Sequence, residues 1–193
     1  MGFLPQMEPW FDDEERLAMD AYMREGGWLT EFKRTEQFEQ ELAAYVGAKH
    51  CVMVNNGTIS LTLAALACGV QAGDEVIVPN FTMVASPNSV KMFGAAPVFV
   101  DVEPDTLCMD VALARAAITP RTKAIMLVPA NGRYPKAGIA SFIALAKEHD
   151  LALIEDSAQS LGSFYPDGRH QGSVGLAGSF SFSSPKIITT GQG

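Results

Sequence analysis

The sequence predicts an α/β fold in which a mostly parallel sheet carries helices on both faces. Three observations predict it. Short, near-continuous apolar runs rich in β-formers recur along the chain, they alternate with stretches of helical periodicity, and their carboxyl ends enter polar loops rich in Asn, Gly and Ser. A strand covered on both faces reads as an unbroken apolar run, and parallel neighbours need a crossover between them, usually a helix.

The opening stretch "FDDEERLAMDAYMREGG" predicts a helix with Asp12 or Asp13 as cap, acids in its first turn and Gly26–Gly27 as its stop. "TEQFEQELAAYVGAKH" predicts a second, with Phe38, Leu42 and Val46 on one face and Gly47 ending it. Residues 1–46 thus make an N-terminal helical segment and residues 47–193 the α/β sheet core, with no repeat, low-complexity stretch or linker between them. Strands are predicted at "HCVMVN", "EVIVP", "APVFVDV", "KAIMLVP" and "LALIED", and helices at "TISLTLAALACGV" and "GIASFIALAKEHD". A last strand is expected in "SFSFSS", leading to a turn that carries Lys186. Ligands of open parallel sheets gather beyond the carboxyl ends of the strands. The loops "NNGTIS", "PNFTMVAS", "PANGRYP" and "EDSAQS" should therefore converge on one edge.

Bulk composition narrows the function. Of 193 residues 48% are hydrophobic and 19% charged, which suits a globular core, and the formal net charge of −8 argues against a general nucleic-acid binder. Cys51, Cys68 and Cys108 are far apart, with no CxxC, and His50, His149 and His170 are scattered, so no metal site is expected and the thiols read as buried and reduced. The acidic "MGFLPQMEPWFDDEE" is not a signal peptide, and "ISLTLAALACGV" is too short to span a bilayer, so a soluble chain without a membrane partner is expected.

Three segments carry chemistry. In "NNGTIS", Gly57 permits a tight turn and the amides of Thr58 and Ile59, with the Thr58 hydroxyl, could meet an anion at a helix start; a plain N-cap needs the same residues. "LIEDSAQS" ends an apolar strand in two acids. Either is a natural helix cap, or Asp156 faces a protonated ring nitrogen and Gln159, a turn later, its hydroxyl. In "SFSFSSPK", Ser181 and Lys186 lie on a strand and the turn after it, and Lys186 sits between two apolar stretches in a Ser/Pro/Gly context, where a desolvated amine can become a Schiff-base nucleophile; most lone lysines are solvated instead. Together, an anion-binding helix start, an acid at a strand end and a late lysine are what pyridoxal 5'-phosphate (PLP) needs.

The chain resembles the DegT/DnrJ/EryC1/StrS family, fold-type-I PLP enzymes that act on nucleotide-linked keto-sugars, and within it the perosamine synthase-like branch. The resemblance runs through "GGWLT", "NNGTISLTLAAL", "GDEVIVPNFTMVASPNSVKMFGAAPVFVDVEPDTLCMD", "AITPRTKAIMLV", "IEDSAQSLGS" and "GSFSFSSPKIITTGQG". It implies the PLP-dependent transferase fold type I, with this chain a truncated large domain whose C-terminal small domain is absent. It implies that Lys186 carries the cofactor and moves protons as general acid and base. It further implies that Asp156 pairs with the pyridine nitrogen, Gln159 sits near the ring oxygen, and Thr58, Ile59 and Ser181, beside Gly57, hold the phosphate. Met83 occupies the position where the family usually stacks an aromatic on the ring. The implied reaction transfers an amino group from an amino acid, commonly glutamate, to a nucleotide-linked keto-sugar, in a cytoplasmic homodimer. The alternatives are a PLP-dependent sugar dehydratase of the same family, whose deoxygenating branch carries histidine at the lysine position, and a catalytically silent PLP-fold fragment.

Overall fold

A computed structural model describes residues 10–26 and 33–192 of the chain. The opening helix α1 (Asp13–Glu25) starts on a capping box: Asp12 accepts the Glu14 amide at 2.7 Å, and Glu15 accepts the Asp12 amide at 2.9 Å. It ends at Gly26, whose φ of 65° is left-handed. Gly27 and the rest of "GWLT" lie outside the described residues. No residue of α1 is buried. Helix α2 (Lys33–Val46) buries Leu42 and Val46, and Phe38 meets Phe182 edge-on with ring centroids 5.1 Å apart.

The rest is one five-stranded, wholly parallel sheet in the order β2-β1-β3-β4-β5. Its strands are β1 (Glu75–Pro79), β2 (Ala96–Val100), β3 (Thr122–Leu127), β4 (Ala152–Asp156) and β5 (Ala177–Ser179). Alternation along each strand divides the core between two faces. Val76, Val78, Ala124, Met126 and Ile154 pack with Leu61, Ala65 and Val90 of α3 (Gly57–Ala67) and α4 (Ala85–Lys91). Ile77, Ile125, Leu127 and Leu153 pack with Ala114 of α5 (Val111–Ala116) and with Ile139, Phe142 and Leu145 of α6 (Gly138–Glu148). Helices therefore cover both faces, as the apolar runs predict.

Two expected strands differ. Residues 50–55 form no strand: the segment is held by the Met53 amide donating to Glu39 at 2.6 Å and by Cys51 and Met53 packing beside Leu42 and Val46, with no ladder partner among the described residues. The last strand lies earlier than "SFSFSS". Its partner β4 ends at Asp156, opposite Ser179, so Ser181 falls beyond the ladder, and Ser183 bridges to Gly191 instead. Of the thiols, Cys108 is buried while Cys51 and Cys68 are half-buried, and burial pushes all three above the usual thiol range. Among the described residues no helix is long and apolar enough to cross a membrane, and no cluster of His, Cys, Asp and Glu could hold a metal ion.

Candidate functional site

Because all five strands run the same way, their carboxyl ends share one edge, and the loops that leave β1, β4 and β5, with Val128 after β3, border a cleft of ≈ 520 Å³; no residue of "PANGRYP" lines it. Every residue singled out from the sequence lines it: Gly57, Thr58 and Ile59 at the start of α3, Met83 after β1, Asp156 and Gln159 after β4, and Ser181 and Lys186 after β5. Asn56, Thr82 and Ser183 line it as well.

At one end, Asn56 caps α3 by accepting the Ile59 amide at 3.0 Å. The amide expected to face an anion here donates to the Asn56 side chain. The Thr58 hydroxyl and the first amides of the helix, which have no acceptor within it, are what remains for an anion. Gly57 also serves a different purpose from the tight turn expected of it. It is absent from the left-handed residues, but a Cβ there would stand 2.8 Å from Ser181 Cβ and 3.2 Å from Ser181 Oγ. The missing side chain lets the helix start and the Ser181 loop close on each other. Ser179 secures the approach, donating to Ser60 Oγ of α3 at 2.9 Å.

The two acids at the end of β4 point to opposite faces. Glu155 goes to the side of Leu153 and Tyr165. It is fully buried and accepts four hydrogen bonds, from the Tyr165 hydroxyl (2.7 Å) and the amides of Gly172 (3.0 Å), Val174 (2.7 Å) and Gly175 (2.6 Å). Asp156 goes to the side of α3 and α4 and reaches the cleft floor, accepting the Ser86 hydroxyl at 2.6 Å and the Ala158 amide at 3.3 Å. Burial pushes its carboxyl above the usual carboxylate range; the Ser86 hydroxyl, the Ala158 amide and the charge on Lys186 oppose that rise without cancelling it.

Gln159 is half-buried and its Oε1 accepts the Asn131 amide at 3.2 Å, which fixes the amide orientation and leaves the Nε2 end as the donor. Lys186 is half-buried on the turn after Ser183, where its own amide donates to the Ser183 carbonyl at 3.0 Å. Met83 stands on the rim, 56% exposed, with its sulfur 3.0 Å from the Ala85 amide. Of the eighteen lining residues Asp156 is the one acid and Lys186 the one cation. One buried carboxylate and one half-buried amine on the same cleft, with hydroxyls and helix amides beside them, can hold a protonated nitrogen, an electrophilic carbon and an anion together.

Sequence reasoning missed Thr82 and Ser86. No sequence signal marks them: Thr82 lies before α4 and Ser86 is one more serine in its first turn.

Residues 11–193 match the DegT/DnrJ/EryC1/StrS aminotransferase family. The chain is 46% identical over 197 residues to GDP-perosamine synthase of Caulobacter vibrioides, covering 100% of this chain and 52% of that protein. It is 43% identical to L-glutamine:2-deoxy-scyllo-inosose aminotransferase of Streptomyces paromomycinus, covering 91% of this chain and 42% of that one. The PLP form of Spr1654 from Streptococcus pneumoniae superposes with a TM-score of 0.89 at 32% identity, over 97% of this chain and 50% of the other. The chain spans about half the length of the curated relatives it matches. On the strength of a match over nearly its whole length, the chain belongs to the DegT/DnrJ/EryC1/StrS aminotransferase family.

Proposed function

We propose that this chain is the cofactor-binding part of a PLP-dependent aminotransferase that moves an amino group from glutamate to the keto group of a nucleotide-linked sugar, for amino-sugar and surface-polysaccharide synthesis. The observation that carries the proposal is the meeting of Lys186 and buried Asp156 on one cleft in a chain of this family. The residues present fit PLP. The cleft, at ≈ 520 Å³, lies within the about 300–1,000 Å³ of ordinary small-molecule sites. Hydroxyls and helix amides gather where Gly57 closes on Ser181, and a buried carboxylate lines the same cleft.

In this reading Thr58, Ser181 and the first amides of α3 bind the phosphate, with Gly57 and Ile59 forming the backbone around it. Asp156 holds a proton at the pyridine nitrogen, Gln159 Nε2 donates to the ring oxygen, and Met83 lies against the ring. When bound, PLP supplies an electron sink that lets a carbon next to nitrogen lose its proton. Lys186 carries the cofactor between turnovers; its Nζ takes the proton from the substrate carbon and returns it, as general base and then general acid. A homodimer in the cytoplasm completes the proposal. Lysine at position 186, where the deoxygenating branch has histidine, favours amino transfer over dehydration.

A second acceptor has support of its own. The similarity to L-glutamine:2-deoxy-scyllo-inosose aminotransferases allows a cyclitol ketone with glutamine as donor; we favour the nucleotide sugar because the perosamine synthase match covers the whole chain and the cyclitol match 91% of it. The test supplies PLP and either amine-¹⁵N glutamate or amine-¹⁵N glutamine to the purified full-length protein that contains this chain, with a panel of nucleotide-linked keto-sugars and a keto-cyclitol. Label appearing in a nucleotide sugar supports the proposal. Label only in the cyclitol transfers it to the second acceptor, and label in neither sinks it.

A further inference from the structure

Asp156 is held from behind by a residue that does not border the cleft. Ser86, in the first turn of α4, is fully buried and donates its hydroxyl to Asp156 Oδ2 at 2.6 Å. Thr82, on the cleft wall, has its hydroxyl 2.7 Å from that of Ser86. Ser86 owns one hydroxyl proton. An ionised Asp156 can only accept, so that proton belongs to the Ser86–Asp156 bond and Thr82 must be the donor in the other. The line then has a direction, from Thr82 to Ser86 to Asp156. The backbone of Ser86 is fixed in turn, because Ser89 Oγ donates to the Ser86 carbonyl at 2.7 Å, and the Ser89 carbonyl accepts Thr62 Oγ of α3 at 3.0 Å.

The other carboxylate oxygen is less engaged. Oδ1 accepts the Ala158 amide at 3.3 Å, beyond the usual range for such bonds, and keeps lone-pair capacity for another donor. The charged group that acts on Asp156 is Lys186, across the cleft. Neighbouring Glu155 leaves on the opposite face and is taken up by its own four donors.

We propose that Ser86 is a positioning residue, whose hydroxyl, backed by Thr82, holds the Asp156 carboxylate in one orientation and in its charged form toward the cleft. Its bearing on catalysis rests on Asp156 being the partner of the cofactor ring; its effect on Asp156 itself does not. Two measurements separate these. In the cofactor-free protein, carboxyl ¹³C NMR follows the titration of Asp156, the resonance being assigned by its loss in D156N. Ser86→Ala is expected to raise the proton affinity of Asp156 by about tenfold or more, since a hydrogen bond to a charged group is worth about 1.5–3 kcal/mol. Ser86→Thr, which keeps the hydroxyl, restores the wild-type midpoint, and Thr82→Val moves it in the same direction as Ser86→Ala but by less. Removing a merely structural serine would leave the midpoint unmoved, and that result in folded S86A overturns the proposal. If S86A does not fold, an unmoved midpoint in T82V overturns it instead. With PLP bound, S86A is expected to lower kcat about tenfold with KM little changed. Normal turnover by D156N would overturn the reading of Asp156 as ring partner, while the titration would still decide whether Ser86 holds it.

Discussion

Glu155→Gln alters one heavy atom near the centre of the molecule and is expected to cost about 1–3 kcal/mol of stability. The magnitude follows from the four donors that surround the carboxylate. Glutamine offers one oxygen and one NH₂ in place of two oxygens. Turning the NH₂ toward Val174 and Gly175 sets it against two amides that can only donate. Turning it the other way is less costly, because the Tyr165 hydroxyl can reverse and accept. In that orientation the Gly172 amide alone loses its acceptor, and an orphaned buried amide costs about 1–3 kcal/mol. The Val174 and Gly175 amides keep an acceptor but lose its charge, which roughly halves such bonds. Relief from burying a charge works against these losses and keeps the total modest. Tyr165→Phe removes a hydroxyl that donates to this carboxylate and should cost about 1.5–3 kcal/mol. Urea unfolding of both variants measures the difference through the midpoint at constant m-value. An E155Q protein within about 0.5 kcal/mol of wild type, the range of an ordinary surface change, would refute the view that this carboxylate organises the loop leading into β5.

Borohydride reduction of the PLP-loaded protein, followed by peptide mapping, should leave the pyridoxyl group on Lys186; a label on Lys136, which is paired with Asp105, would overturn the site. Asp156→Asn should keep PLP while lowering kcat about a hundredfold, the ~2.7 kcal/mol equivalent of two units of proton affinity at the ring nitrogen; normal turnover would leave Asp156 without a role in the chemistry. Met83→Phe should fold normally, because the side chain is 56% exposed, and should tighten PLP binding by about 0.5–1.5 kcal/mol of ring stacking; weaker binding by equilibrium titration would place Met83 away from the ring. His170 should make the fold acid-sensitive: burial holds its pKa below the ordinary value, and Nε2 accepts the Gly162 amide at 2.8 Å. The unfolded chain takes up that proton near pH 6.5 and the folded chain only lower, so stability is lost as pH falls through this window, and His170→Gln should flatten the slope.

β1, β3 and β4 were legible because each is buried along nearly its whole length and so shows a near-continuous apolar run; β2, at the sheet edge with Phe99 exposed, was legible from its Val and Phe content alone. β5 was not. "AGS" has little β-propensity, and its composition answers a different demand: a Cβ on Gly178 would stand 1.8 Å from the Gly172 carbonyl oxygen. Close approach of a neighbouring loop chose that residue, and a loop contact leaves no periodic trace in sequence. The segment 50–55 failed the other way. Its residues suit a strand, but strand character needs a partner, and its amide at Met53 went to Glu39 instead.

The candidate site divides along the same line. Asp156, Gln159, Ser181 and Lys186 were legible because they follow β4 and β5, whose carboxyl ends share one edge by topology; Gly57, Thr58 and Ile59 were legible as a helix start although no strand precedes them, and Met83 through the family resemblance alone. Ser86 was not, since a serine at a helix start looks like any other until the fold sets α4 against the end of β4. The pair Glu155 and Asp156 lies between these cases. Sequence allows two acids at a strand end to be interchangeable caps, yet a period of two residues must send them to opposite faces. One face holds Tyr165 and the amides of the loop 172–175, and an acid there is consumed by its own donors. The other holds Ser86, the start of α3 and Lys186, and an acid there keeps one oxygen for whatever enters the cleft. Exchanging the two side chains would preserve composition, charge and strand propensity. It should abolish both the anchor and the site, because a longer carboxylate at 156 would overrun Ser86 and a shorter one at 155 would fall short of the Gly175 amide.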